Sequence, residues 1–279
     1  MNPVNLSGKT ALITGGTGGI GLASALELGG AGAQTILTFK WGSSEEVEIL
    51  ELFRKRGAPK PMLFEADVSR EEDTASLMGS LKNLVAGIDI FVSNVGFALK
   101  AETLEDYRKK SLYKTFDYSS WPIIDYTRRA KEGFGRYPRY VVGISSNGPD
   151  HYYRGYDYVA ASKALLEFFT RYLAVHLYQE GCRVNSVRFG TVRTASFNAI
   201  FGDDYFRWLR DAKGVDESSL LSTEDCGKVV LALCSGLMDA MNGQIIEADL
   251  GLPFVDNAMM DYINMSSKKT QPNNGVLQV

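Results

Sequence analysis

The run Lys9-Thr10-Ala11-Leu12-Ile13-Thr14-Gly15-Gly16-Thr17-Gly18-Gly19-Ile20-Gly21 constrains this chain more than any other segment. A short apolar stretch of strand character leads into a glycine-rich turn, and a helix-period stretch, Ile20 to Leu28, follows it. Gly15, Gly19 and Gly21 hold the key positions. Glycine lets the chain turn tightly and lets bare backbone N–H groups approach a pyrophosphate at the positive end of a helix dipole, an approach that a side chain at Gly19 would obstruct. A glycine-rich turn alone is as often structural as functional, but its place directly after the first strand favours phosphate binding.

Six further apolar runs follow the first, Thr10 to Thr14: Thr35 to Phe39, Met62 to Phe64, Ile88 to Ser93, Tyr140 to Ser145, Val184 to Phe189 and Gln244 to Ala248. Between them lie amphipathic or apolar stretches at Ile20 to Leu28, Ser44 to Arg56, Arg70 to Leu84, Tyr118 to Glu132, Val159 to Gln179 and Thr223 to Cys234. This alternation predicts an α/β fold: one Rossmann-type, doubly wound parallel sheet of about seven strands with helices on both faces. At 279 residues and 45% apolar composition the chain can bury one large core. A single domain over 1–265 is expected, with a polar C-terminal tail over 266–279 that is mobile or an oligomer contact.

Thirty Lys and Arg against thirty-three Asp and Glu leave a net charge of −3, which gives no electrostatic case for a nucleic-acid or membrane surface. No apolar run approaches the ~20 residues needed to cross a bilayer, and no basic-apolar leader precedes the first strand, so a cytoplasmic location is expected. Cys182, Cys226 and Cys234 form no CxxC pair and fit neither a disulfide framework nor a zinc site. No metal is expected.

Thr14-Gly15-x-x-x-Gly19-x-Gly21, the Ser93-Asn94-Val95-Gly96 turn, Ser146 and Lys163 together resemble the short-chain dehydrogenase/reductase family, over residues 6 to about 251. The resemblance implies a nicotinamide dinucleotide held by Gly15, Thr17, Gly19, Ile20 and Gly21, by Asp67 and Val68 at the adenine, and by Asn94 and Gly96. It also implies contacts from Lys163, Gly190, Val192 and Thr194, the last two facing the nicotinamide. In that family the residue ending the second strand selects the cofactor, a carboxylate favouring NADH. Here it is Lys40, followed by Ser43 and Ser44, a cation and two hydroxyls that suit the 2′-phosphate of NADPH. The alternative is a solvated surface lysine.

Family members usually carry a tyrosine four residues before the lysine, but Val159 occupies that place. Ser146 nevertheless stands seventeen residues before Lys163, as in the usual arrangement, so the lysine has not moved. Were the helix already formed, Tyr158 would sit about 140° round it from Lys163, whereas Tyr156, seven residues before, would be only about 20° from alignment. Tyr156 is therefore the candidate, the alternative being one more packed ring of the Tyr152-Tyr153-Arg154-Gly155-Tyr156-Asp157-Tyr158 loop.

The Tyr-x6-Lys spacing, with Thr170-Arg171-Tyr172-Leu173-Ala174-Val175, resembles the enoyl-acyl-carrier-protein reductase III type. That implies NADPH-dependent reduction of an enoyl thioester in fatty-acid or polyketide-type metabolism. Tyr156 would serve the enolate oxygen, Lys163 would hold the ribose and lower the tyrosine pKa, and Ser146 would orient substrate or tyrosine. Two alternatives stand beside it: a ketoreductase or alcohol dehydrogenase of specialised metabolism, and a non-catalytic NADPH-binding protein.

Thr115-Phe116-Asp117-Tyr118 stands where the family often has a relay asparagine, and Phe189-Gly190 where it has Pro-Gly. Neither His151 nor His176 has a triad or metal spacing. A substrate lid is expected near 195–215, its aromatics suiting an acyl chain or ring equally with simple helix packing. Arg207, Arg210 and Lys213 beside it are placed to meet an acidic acyl carrier protein, or are solvated charges. The apolar faces of the Val159 to Gln179 helix predict a homodimer or homotetramer.

Overall fold

A computed structural model of the protein describes residues 4–40, 45–202 and 204–255. The chain alternates β1 (Thr10–Thr14), α1 (Gly19–Gly30), β2 (Gln34–Phe39), α2 (Glu46–Arg56), β3 (Met62–Glu65), α3 (Glu71–Leu81) and β4 (Ile90–Ser93). It continues through α4 (Lys109–Ser119), α5 (Trp121–Phe134), β5 (Tyr140–Ser145), α6 (Asp157–His176) and β6 (Arg183–Phe189). The helices α7 (Ala195–Phe201) and α8 (Tyr205–Lys213), then α9 (Thr223–Cys234), β7 (Ile245–Ala248) and the short α10 (Leu252–Val255) complete it.

All seven apolar runs form strands of one parallel sheet in the order β3-β2-β1-β4-β5-β6-β7. Side chains on a strand alternate between faces, and the sheet sorts its core accordingly. Ala11, Ile13, Ile90, Val92, Val142 and Ile144 pack with α1, α2 and α9, while Leu12, Phe91 and Val141 pack with α3, α5 and α6 on the other face. β1 lies between β2 and β4, so the winding reverses there and opens a crevice at the carboxyl ends of those strands.

Helix ends follow local chemistry. Ser222 and Asp225 form a capping box at the start of α9. α2 carries Glu46 and Glu48 in its first turn and three basic residues in its last, as the helix dipole favours. The sequence reading missed α4: one helix from Tyr118 to Glu132 was expected, but two occur. Ser120 closes α4 and opens α5, where Pro122 has no N–H to continue a preceding helix, and its hydroxyl is spent on the Ser162 carbonyl at 2.8 Å.

The three cysteines are buried and unpaired, and burial pushes the Cys182 and Cys226 thiols up to about 12, consistent with packing roles. Among the described residues no group of metal-binding side chains occurs, and no helix is long and apolar enough to cross a membrane. The expected tail, 266–279, lies outside the described residues.

α1 and α9 approach so closely that a Cβ at Gly227 would lie 2.6 Å from the Ala23 carbonyl oxygen. Gly227→Ala should therefore cost about 1–3 kcal/mol, read as a lower urea midpoint at unchanged slope. A wild-type midpoint would show that the two helices are free to separate.

Candidate active site

The crevice beside β1 is a cleft of about 300 Å3 lined by Gly15, Thr17, Gly19, Ile20, Lys40, Val68, Asn94, Gly96 and Thr194, all expected cofactor positions. Its shape rests on glycine. Gly15 and Gly19 adopt φ of +61° and +52°, and a Cβ at Gly21 would stand 2.3 Å from the Gly15 oxygen. Beyond Gly19 the side chain of Thr194, 3.5 Å from where a Cβ would be, is the nearest group, so the turn leaves room in front of the amino end of α1. Gly18, the residue before α1, makes no side-chain cap. Such a cradle fits a pyrophosphate.

Asn94 fixes this turn rather than merely lining it. Its Nδ2 donates to the carbonyls of Thr14 at 3.0 Å and Gly15 at 3.2 Å, while its N–H donates to Thr14 Oγ1 at 3.0 Å. Asp67 stands at the far end, where its carboxylate pairs with Lys40 and accepts from the Ser69 N–H and hydroxyl at 3.0 and 2.8 Å. Tyr118 completes the group: Lys40 Nζ donates to its hydroxyl at 2.5 Å, the hydroxyl donates to Asp67 at 3.3 Å, and its ring stacks on Phe97. Burial opposes the charge on both members of the pair. Hydrogen bonds to Asp67 and Tyr118 outweigh it for Lys40, whose pKa is raised, and those from Lys40 and Ser69 outweigh it for Asp67, whose pKa is lowered. Two residues assigned separately from sequence thus hold each other. Ser43 and Ser44 lie outside the described residues.

A second, larger cavity of about 540 Å3 adjoins the carboxyl end of the sheet, with Ser146, Tyr156, Phe189 and Gly190 on its wall. Phe197, Phe201, Tyr205, Leu209 and Lys213 of α7 and α8 line it, and His151 reaches it too. Tyr156 immediately precedes α6 as its cap residue, outside helical backbone angles at φ −102° and ψ 2°, and its carbonyl accepts the N–H of Ala160 at 2.8 Å. Its ring stacks near Phe201, and its hydroxyl donates to Ser146 Oγ at 3.2 Å. Tyr158 is employed elsewhere: its hydroxyl accepts the Arg108 N–H at 2.5 Å and is buried against the loop before α4.

Lys163 is buried, and its ammonium donates to the Ile144 carbonyl at 2.7 Å, close below Gly96, whose Cβ would lie 3.7 Å away. Burial drags its pKa down to about 8 against the opposing charge of Glu167. The expected lowering of the tyrosine pKa by Lys163 is not found in the unligated site. Burial raises Tyr156, and its hydrogen bond to Ser146 offsets this only in part. A tyrosine so held keeps its proton and suits a proton donor.

Thr194 borders the cleft but spends its hydroxyl on the Phe197 N–H as the cap of α7, and Val192 is buried in the core. Gly190 must be glycine, because a Cβ there would meet Asp249 at 2.7 Å. At the rim, Arg207 pairs with Asp204 and Arg210 with Asp211.

Sequence reasoning missed the group directly beneath the site. Arg188 of β6, only 7% exposed, grips both carboxylate oxygens of buried Glu167 through Nε and Nη2, each at 2.7 Å, and its Nη1 reaches Asp150 and Glu247. The Ser145 hydroxyl donates to the same Glu167 at 2.7 Å. The signal available was an arginine inside the apolar run Val184 to Phe189, which requires a buried carboxylate.

Residues 15–253 match the family model described as enoyl-(acyl carrier protein) reductase, adh_short_C2. The chain is 30% identical over 259 residues to 3-oxoacyl-(acyl-carrier-protein) reductase FabG of Aquifex aeolicus, covering 89% of this chain and 99% of that protein. It is 27% identical over 253 residues to the NADH enoyl-(acyl-carrier-protein) reductase FabI of the same organism, covering 88% and 92%. In fold it resembles a short chain dehydrogenase from Burkholderia cenocepacia crystallised with NADP, at a TM-score of 0.75 and 24% identity over 89% of this chain and 99% of that one.

Tyr158→Phe should lower stability by about 1 kcal/mol, since the Arg108 N–H loses its acceptor, while Tyr156→Phe should leave stability unchanged. Chemical denaturation of the two variants separates the anchor from the site residue. Equal losses would contradict the division.

Proposed function

Because the chain belongs to the short-chain dehydrogenase/reductase family, of the enoyl-(acyl carrier protein) reductase-like type, and is an oxidoreductase, we propose that it uses NADPH to reduce the C=C bond of an enoyl thioester. The observation that carries this reading is the Tyr156 hydroxyl, one Tyr-x6-Lys spacing ahead of Lys163 and 3.2 Å from Ser146 Oγ on the wall of an aromatic cavity.

Bound in the cleft, NADPH would supply the hydride. In conjugate reduction negative charge gathers on the thioester carbonyl oxygen, two bonds beyond the position where it would form in ketone reduction, and a tyrosine one turn earlier is placed to serve it. Tyr156 donates its proton to that oxygen, with Ser146 orienting the hydroxyl. The enol then takes a proton from water at its α-carbon as its oxygen returns the proton to the tyrosinate, leaving the saturated thioester. Lys163, cationic below about 8, holds the nicotinamide ribose and adds positive field beside the developing charge. Lys40 would turn from Asp67 toward the 2′-phosphate. Lid aromatics receive the acyl chain, and the substrate arrives as a small thioester or on an acyl carrier protein at the rim of α8. Phe168, Tyr172 and Val175 expose an apolar strip on α6 that supports a homodimer or homotetramer.

A ketoreductase is the second reading, favoured by the likeness to the 3-oxoacyl reductase, because a Ser–Tyr pair polarises a ketone equally well. NADPH consumption with crotonyl and longer enoyl thioesters beside a ketone panel tests both. Enoyl turnover should fall at least about 100-fold in Tyr156→Phe and persist in Tyr158→Phe. Turnover confined to ketones would replace the first reading with the second. The kcat/KM profile should decline as pH rises through about 8, where Lys163 of the free enzyme loses its charge. A flat profile to pH 10 would remove Lys163 from the mechanism.

A further inference from the structure

We propose that Arg188 is a positioning residue that locks the loop carrying Tyr156 to the helix carrying Lys163, with Glu167 and Asp150 as its two anchors. The inference rests on Tyr156 and Lys163 being the site, and goes beyond any role given to them.

The geometry runs through three segments. Glu167 sits one turn beyond Lys163 on α6, so the bidentate grip of Arg188 fixes the face of the helix from which Lys163 projects. The same carboxylate accepts the Ser145 hydroxyl, so the strand end bearing Ser146 is tied to that point. Asp150 lies midway along the loop between Ser146 and Tyr156, and Nη1 of Arg188 holds it there.

That tether bears directly on the tyrosine. Two residues before Asp150, the backbone at Gly148 packs so tightly under the Tyr156 ring that a Cβ would lie 2.6 Å from Cε1. Where Asp150 is held therefore decides where the ring rests. Freed of that carboxylate, the loop has local turn bonds within 147–151 and the Tyr156 contacts to keep its place.

The cluster is also an electrostatic unit. Lys163 stands behind Ile144 and Gly96. Glu167 is the charged side chain whose field supports its protonation; Arg188 balances Glu167 from β6, and Asp150 on the loop and Glu247 on β7 share the remaining Nη1 of the same guanidinium. Glu247 is about half exposed and shares Nη1 with Asp150, which makes it the outer member of the set.

Two variants separate positioning from simple structural support. Asp150 is 61% exposed, so Asp150→Asn keeps the fold while weakening the loop anchor from an ion pair to a neutral hydrogen bond. Glu167→Gln keeps the shape of the inner anchor and removes its charge. In Asp150→Asn, hydrogen–deuterium exchange of residues 147–156 should quicken about tenfold and kcat fall by about as much. The binding constant for NADPH, or for NADH if that binds tighter, should keep its wild-type pH dependence, read by cofactor fluorescence. In Glu167→Gln the pH at which that binding weakens should move down from about 8. The double variant should lose less kcat than the product of the two single losses, because both act through one guanidinium. Wild-type exchange in Asp150→Asn, or an unmoved binding profile in Glu167→Gln, would overturn the proposal. Absence of turnover on every substrate would count against the enoyl-reductase reading alone, since exchange and binding still decide this one.

Discussion

A cation kept out of water is the constraint on which the carboxyl edge of this sheet depends. Removing an ammonium from solvent is costly unless it is hydrogen-bonded and its charge is balanced. Lys163 meets that cost with the Ile144 carbonyl on one side and the field of Glu167 one turn away. Glu167 is itself buried and needs Arg188, which draws in Asp150 and Glu247. One buried cation thus brings a buried carboxylate and guanidinium with it, and the two half-exposed acids on that guanidinium extend the set to the loop before α6 and to β7. The chemistry and the architecture are consequently hard to separate: the groups that keep Lys163 charged also hold the loop from which Tyr156 projects.

At the other end of the cleft the same logic operates with a looser pair. Lys40 and Asp67 neutralise each other under Tyr118, which keeps a cation stored near the end of β2 without leaving it unpaired. A 2′-phosphate would compete with a carboxylate for this lysine. Selectivity at this position is therefore a difference between two ion pairs, a quantity that the identity of residue 40 alone does not set.

Much of the fold was legible because a doubly wound sheet announces itself in apolar runs and glycine spacing. Every one of the seven runs became a strand, and the reversal beside β1 placed Gly15, Gly19, Asn94 and Gly96 around one cleft. Helical spacing favours Tyr156 over Tyr158, and in the structure the Tyr158 hydroxyl is committed to the Arg108 N–H while Tyr156, the cap of α6, faces Ser146. What escaped was long-range pairing. Arg188 and Glu167 are 21 residues apart, and Lys40 and Asp67 come from different strand ends, so no local pattern joins them. α4 escaped because its sequence is polar and its boundary is a buried serine bonded to the Ser162 carbonyl on α6. The tyrosine pKa was misjudged because spacing conveys which charges are near but not how completely the ring is enclosed.

The most direct test of the central claim follows the hydride itself. Enzyme is incubated with NADPH deuterated at the transferable position of C4 and crotonyl thioester, and in parallel with a ketone or 3-oxoacyl thioester. The crotonyl substrate should yield butyryl thioester carrying one deuterium at its β-carbon, detected by mass spectrometry and NMR. No deuterated butyryl product, with deuterium recovered instead on the carbinol carbon of a reduced ketone or 3-oxoacyl thioester, would contradict the assignment of Tyr156 to enoyl reduction.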